Sequence, residues 1–363
     1  MKTTTVALYL PQYHPIPEND EWWGKGFTEW TNVAKAQSLY PGHQQPNLPA
    51  DLGYYDLRVP ESRQAQADMA RAYGVDAFCY YHYWFGNGRR LLQRPFDEVL
   101  ASGKPALPFM LCWANQTWSG IWHGLESQVL VEQTYPGPDD HRRHFESLLP
   151  AFLDPRYLKV DGAPVFMVYR PLELPDSRAT LDLWRAMARE AGLPGMYFLA
   201  QFWDPQWDAQ AHGFDAFMNM RSIARRRQWA PWSQPVEKFR GKLLDIRRRP
   251  TVLRYADMLD YFVPDTASDR AIPCVLPNWD NTPRSGWKGL VLEGSTPALF
   301  GCQVDRALVR CAARKAPDNL LFVKSWNEWA EGNCLEPSRA FGHGYLEALR
   351  DRLNAASALE SAR

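Results

Sequence analysis

Eight short apolar runs, each ending in polar or aromatic residues and separated by amphipathic or loop-like stretches, constrain this chain more than any other feature. They are Thr5 to Leu10, Ala77 to Tyr83, Ala106 to Cys112, Val165 to Tyr169, Tyr197 to Gln201, Ala216 to Met220, Ile272 to Leu276 and Leu320 to Ser325. Between them lie helical candidates at Glu61 to Tyr73, Leu91 to Ser102, Asp140 to Phe152, Arg178 to Ala191, Thr251 to Phe262 and Pro297 to Ala313, with a terminal one at Gly344 to Leu353. Gly74 and Gly192 mark helix ends, and Pro297 suits a first turn. Alternation of this kind reads as successive βα units, so the expected architecture is α/β, a (β/α)8 barrel. Residues 1–355 are expected to form one domain with long βα loops, and 356–363 a tail.

The positions of the polar residues strengthen that reading. Gln12, Tyr13 and His14 follow the first run, His82 and Trp84 close the second, and Trp113 and Asn115 the third. Arg170, Gln201, Asn219, Asn278 with Asp280, and Asn327 with Glu328 continue the series. A barrel draws its catalytic groups from those ends. A doubly wound sheet, the alternative, would gather ligands at one switch point.

Composition narrows the function. The 363 residues carry 41 Lys and Arg against 41 Asp and Glu, so no overall charge favours nucleic acid. Sixteen Trp, 16 Tyr and 17 Phe exceed what a core needs, and suit a cleft where sugar rings stack on indoles; buried packing is the plain alternative. The six Cys form no C-x-x-C and no zinc-like spacing with His, so neither a metal site nor a disulfide framework is expected. VALYL before Pro11 is too short for a secretory h-region, which gives a cytoplasmic expectation.

Two connections are long. Pro11 to Pro60 shows little helical period and should be an ordered loop over the barrel mouth. Arg221 to Arg254 holds eleven Lys and Arg against Glu237 and Asp245, interleaved with Trp229, Trp232 and Phe239. A solvated insertion is one reading; peripheral docking on an anionic inner-membrane surface bearing lipid-diphosphate-linked glycan is the other.

The strongest constellation is LLFVKSWNEWAEGNCLEP. A helical turn after the last strand would put Glu328 and Glu331 on one side of a loop at the barrel axis. Glycosyl transfer needs such a pair, one group acting as acid and one as base or nucleophile. Trp326 and Trp329 can supply the apolar wall that raises one carboxyl pKa; two surface acids opening a helix are the alternative. NWDNTPR offers Asn278, Asp280, Asn281 and Arg284 to a ligand, or else an Asx-turn with an Arg–Asp pair. His14, His43 and His82 suit sugar hydroxyls. Trp22, Trp23 and Trp30 read as packing or as stacking platforms. The expected substrate contacts are Tyr13, His14, His82, Trp84, Trp113, Asn115, Asn278, Asp280, Arg284, Trp326, Asn327 and Trp329, around catalytic Glu328 and Glu331.

LYLPQYHPIPENDEWWGKGFTEWTNV, FCYYHYWFGNGRRLL, NWDNTPR and SWNEWAEGNCLEP together resemble the WbsX-type polysaccharide-biosynthesis family, which is similar to the family 99 glycoside hydrolases, the endo-α-mannosidases. The resemblance runs from residue 8 to residue 337. It implies a (β/α)8 fold and action on glycans without a cofactor. It also implies that Glu328 deprotonates the sugar 2-OH, which attacks C1 to give a 1,2-anhydro sugar. Glu331 then corresponds to the acid that protonates the leaving oxygen and afterwards activates the acceptor, with retention. In that role Glu331 is expected to have its pKa raised by Trp and by Glu328. WbsX-type proteins are commonly named glycosyltransferases, and no D-x-D, G-x-G-x-x-G or P-loop is present here. Three readings stay open: a hydrolase acting on a surface polysaccharide or its precursor, a transferase of O-antigen assembly, and a non-catalytic glycan-binding scaffold.

Overall fold

The computed structural model describes residues 2–120, 125–220, 248–265 and 268–361. All eight apolar runs are strands of one barrel: β1 (Thr4–Tyr9), β2 (Ala77–Trp84), β3 (Phe109–Trp113), β4 (Ala163–Val168), β5 (Tyr197–Phe202), β6 (Ala216–Asn219), β7 (Ala271–Val275) and β8 (Leu320–Val323). Each pairs in parallel with its sequence neighbours, from Val6 beside Ala77 to Cys274 beside Phe322. Thr4 beside Leu320 brings β8 back onto β1 and closes the ring. Strands covered on both faces read as continuous apolar runs, and β2, β3 and β7 are buried at every position.

Around the barrel pack α1 (Pro60–Ala72), α2 (Arg94–Ser102), α3 (Pro138–Leu153), α4 (Ser177–Glu190), α5 (Pro297–Ala313) and α6 (Gly344–Ser361). Proline stands in the first turn of α1, α2, α3 and α5, where its missing N–H has no helical acceptor to lose. Asp176 and Thr296 cap α4 and α5 by accepting from Ala179 and Leu299.

Three local expectations change. Thr251 to Phe262 is not one helix: Thr251–Arg254 is a strand paired with Leu290–Glu293, followed by a 3-10 turn and a four-residue helix. The β-branched Thr251 and Val252 suit that pairing better than a helix. The Ala-rich end continues α6 to Ser361 rather than fraying after Leu353. The long first loop contains helices Pro17–Trp23 and Glu29–Lys35. Of the basic segment 221–254, residues 221–247 lie outside the described residues.

Between barrel and helices the core is aromatic. Trp184 of α4 is buried among Phe145 and Phe152 of α3, Phe166 of β4 and Phe198 of β5, and its Nε1 donates to His141 O at 3.0 Å. Trp184→Ala should therefore destabilise the fold by about 3–5 kcal/mol in urea denaturation. Val309→Ala, on the exposed face of α5, should stay within about 0.5 kcal/mol of wild type.

Candidate active site

Beyond β8 the chain turns back on itself. Asn327–Glu328 pairs antiparallel with Asn333–Cys334 across a 3-10 turn, Trp329–Glu331, closed by Gly332 at φ +67°. In a 3-10 turn side chains three apart eclipse, so Glu328 and Glu331 share one side as expected. Gly332 is required twice over, because a Cβ there would also lie 2.8 Å from Asp280 N. Ser325 Oγ accepts Glu328 N–H at 3.0 Å and donates to Asn333 O, fixing the turn.

Arg284, on the short helix Thr282–Ser285 beyond β7, reaches three carboxylates. Its Nη1 lies 2.6 Å from Glu331, its Nη2 3.2 Å from Glu328, and its Nε 3.1 Å from Glu29 on the loop helix Glu29–Lys35. Lys324 Nζ stands 3.6 Å from Glu331, and Asn333 Nδ2 donates to it at 3.3 Å. All five charged groups are at least largely buried. Three carboxylates face two cations, so one proton makes the cluster neutral.

Glu328 takes that proton. Burial, then the Glu331 charge, pushes its carboxyl up to about 7 against the pull of Lys324 and Arg284. Burial acts on Glu331 too, but Arg284, Lys324 and Asn333 outweigh it and hold its carboxyl below the usual range. This reverses the expected order within the pair, because the two cations sit closest to Glu331.

The pair opens into a cleft of about 280 Å³ at the C-terminal mouth of the barrel. Tyr81, Tyr83, Trp118, Tyr169 and Trp279 supply aromatic walls, and Trp23 and Phe27 come from the first loop. Asn19 and Asn32 also line it. Both amides are buried, and among the described residues neither has a hydrogen-bond partner. Such groups are satisfied by a polar ligand or by water.

Of the expected contacts, Arg284 joins Glu328 and Glu331 in this cleft; the others lie outside it, Asn278 along a second cavity and the rest with structural partners. Asn327 binds both backbone groups of Leu10, at 2.7 and 3.0 Å, tying the last loop to β1. Tyr13 donates to Asn327 O and accepts Trp329 N–H at 3.2 Å. Trp326 packs on Phe78, while Trp329 donates to Glu336 at 2.6 Å. His14 is buried with Nδ1 3.0 Å from Pro11 O. His82 meets His144 at 2.8 Å, and burial lowers it to about 3. Trp84 stacks on His144 and donates to Asp140, and Trp113 donates to Trp84 O. Asn115 holds the Arg170 backbone and Tyr135. Asp280 accepts from His43 at 2.8 Å, Gln45 at 2.7 Å and Thr282. The Asx-turn is thus present, whereas the Arg–Asp pair is replaced by Arg284 on glutamates.

For the second strand the difference follows from alternation. Along a strand, alternate side chains face the barrel axis and the helices. Tyr81 and Tyr83 face the cleft, while His82 and Trp84 meet α3. Trp279 faces the cleft, and its neighbours Asn278 and Asp280 do not line it. Among the described residues no group of three or more His, Cys, Asp and Glu is placed to hold a metal ion, and no helix is long and apolar enough to cross a membrane.

A sequence profile of the family described as Glycosyltransferase WbsX matches residues 5–349. The chain belongs to the WbsX family. It is 39% and 38% identical, over 368 residues, to the uncharacterized protein WxcX of two strains of Xanthomonas campestris pv. campestris. The alignments cover 98% of this chain and 50% of WxcX, so the chain spans about half the length of these relatives. In three dimensions it is similar to the GH99 endo-alpha-mannosidase from Bacteroides thetaiotaomicron, with TM-score 0.58, 14% identity and 98% of each chain covered. A glycoside hydrolase-like protein matches with TM-score 0.57 and 15% identity, over 97% of this chain and 94% of its own. These likenesses establish a WbsX chain with the GH99-type barrel.

The buried proton on Glu328 links stability to pH. An unfolded glutamate titrates near 4.5 and the folded one near 7, so between these values only the folded state holds the proton. That contribution, roughly 3 kcal/mol, is present below about pH 4.5 and is lost as pH rises to 7. Glu328→Gln, which cannot ionise, should be more stable than wild type by about 2–3 kcal/mol at pH 8, with the gap closing by pH 5 in denaturant titrations. Equal stabilities at pH 8 would contradict the placement of the proton.

Proposed function

We propose that the chain is a carbohydrate-active enzyme that acts with retention on a glycosidic bond of a surface polysaccharide or its precursor. The observation that carries this reading is a buried carboxyl pair sharing one proton, set among aromatic rings and the unpartnered Asn19 and Asn32 amides at the barrel mouth. Aromatic faces suit pyranose C–H surfaces, and the amides suit hydroxyls. The pair holds one acid and one base, which glycosyl chemistry requires.

In the free site the proton is on Glu328. A sugar that displaces Arg284 from Glu331 removes the nearest cation holding that carboxyl down, and the proton passes from Glu328 to Glu331. Glu328 then removes the 2-OH proton as O2 attacks C1. The bond from C1 to the leaving oxygen breaks, and that oxygen takes the proton of Glu331. In the second half, Glu331 removes a proton from the incoming hydroxyl, which opens the anhydro ring at C1, and Glu328 returns its proton to O2. Two inversions at C1 give retention.

If water arrives second the reaction is hydrolysis; if a sugar hydroxyl arrives, it is transfer. The family's description as a glycosyltransferase favours keeping transfer as the second reading. Glu328→Gln and Glu331→Gln should each lower turnover by about 10²–10⁴-fold. In cells that need this gene for their polysaccharide, neither variant should restore it. Full restoration by both would leave only a glycan-binding scaffold.

We also propose a cytoplasmic enzyme whose segment 221–254 docks on an anionic membrane face carrying lipid-diphosphate-linked glycan. The support is its nine excess positive charges interleaved with Trp229, Trp232 and Phe239. The chain should pellet with anionic liposomes at low salt and release at high salt. Equal pelleting with neutral liposomes, or none with either, contradicts the docking.

A further inference from the structure

A second cavity of about 580 Å³ lies between the first loop and the segments that follow β7 and β8. Its volume falls in the ~300–1,000 Å³ range of small-molecule pockets, and it shares no lining residue with the catalytic cleft. The partition between the two is one backbone layer thick. Trp279 lines the cleft while Asn278 and Asp280 line the second cavity; Glu331 lines the cleft while Gly332 lines the second cavity. Asp280 N donates to Glu331 O at 2.7 Å, and Trp279 O accepts from Leu292 N at 2.7 Å, so the partition is itself hydrogen-bonded.

The lining selects a chemistry. Both acids buried in it are already engaged: Asp280 by His43, Gln45 and Thr282, and Glu336 by Trp329, Gln66 and Tyr55. Exposed Glu293 and Arg339 bring one charge of each sign. Arg339 is the only Lys or Arg in the lining, so no cluster of cations is offered to an anionic ligand, and no group of three or more His, Cys, Asp and Glu among the described residues is placed to hold a metal ion. What remains is amide and aromatic. Among the described residues Asn278 Oδ1 is buried without a partner, and Asn47 Nδ2 has only a 3.8 Å contact with Cys334 Sγ. Tyr40 is held flat against His43, with ring centroids 4.6 Å apart and planes within 12°. An amide donor, an amide acceptor and an aromatic ring lining one cavity suit a polyhydroxylated, uncharged ligand.

We propose that this cavity is a second carbohydrate-binding site, taking a neutral oligosaccharide back to back with the catalytic cleft through Asn47, Asn278 and Tyr40. The inference rests on the glycan-directed reading of the cleft and extends it: a polymer held here is anchored away from the bond being broken. Its ligand presses on the strip that carries the Glu331 peptide.

The test uses a printed array of neutral oligosaccharides of mannose, rhamnose, glucose, galactose and N-acetylhexosamines. It is probed with the full chain carrying Glu328→Gln to halt turnover. Asn47→Ala with Asn278→Ala, added to that chain, should weaken retention of the bound glycans at least tenfold while leaving the thermal melt unchanged. Should the melt shift, Tyr40→Ala with Asn47→Ala replaces the pair. Retention that survives these changes but falls with Tyr83→Ala in the cleft overturns the second site and leaves the catalytic reading standing. Retention lost through the second site, with no turnover by wild type of any glycan so retained, supports the site and overturns the catalytic reading. Retention of no neutral glycan overturns the second site and leaves the catalytic reading to the turnover measurements on Glu328→Gln and Glu331→Gln.

Discussion

Arg284 is the constraint on which the mouth of this barrel depends. Three buried carboxylates converge on it from the first loop and the last, at 2.6 to 3.2 Å. Without a cation there, Glu29, Glu328 and Glu331 would face one another in a poorly hydrated pocket with Lys324 alone to balance them. Breaking a buried ion pair from one side leaves the other charge uncompensated, typically at 3–5 kcal/mol. The surroundings of Arg284 are correspondingly fixed. Asp280, whose hydrogen bonds to His43, Thr282 and Gln45 offset its burial and hold its carboxyl low, sets the turn from which the Arg284 helix starts. Apart from Arg284 and Asn278, the residues that the sequence suggests as sugar contacts lie one layer back, in the frame that aims the cleft.

The barrel itself was legible because each strand is buried on both faces and so appears as an unbroken apolar run. That same burial hides which face is which. In FCYYHYW, neither polarity nor size separates Tyr81 and Tyr83, which face the cleft, from His82 and Trp84, which meet α3. A half-exposed sheet would have marked its inner face by alternation; a strand between a packed barrel interior and a helix layer does not. Two-residue spacing counted from a known cleft residue would have supplied the parity. Glu328 gives none, since it lies beyond the strand in a turn.

Glu29, Asn19 and Asn32 were harder to find for another reason. They reach the cleft from helices inside the Pro11 to Pro60 connection, where Pro, Gly and Trp obscure any period. Glu29 lies 255 residues from Arg284 in sequence, and no local pattern announces a contact of that range. The only available signal was an acid between aromatic neighbours, in FTEW. Thr251 to Phe262 misled in the opposite way: its apolar spacing is compatible with a helix, and only the partner strand Leu290–Glu293 decides for extended structure.

The arrangement also explains why a carboxyl pair three residues apart can hold different protonation states. Glu328 and Glu331 are both buried, so desolvation alone would raise both. What separates them is the asymmetric placing of cations: Arg284 is nearer Glu331, and Lys324 adds a second positive charge on the same side. The like charge of Glu331 then raises Glu328 further, and the proton has one preferred seat. That seat depends on a guanidinium shared with Glu29, so the position of Arg284 sets how the Glu328–Glu331 pair holds its proton. The first loop, which supplies both Glu29 and the two cleft amides that have no partner among the described residues, thereby reaches the groups that set the acid–base state of the last.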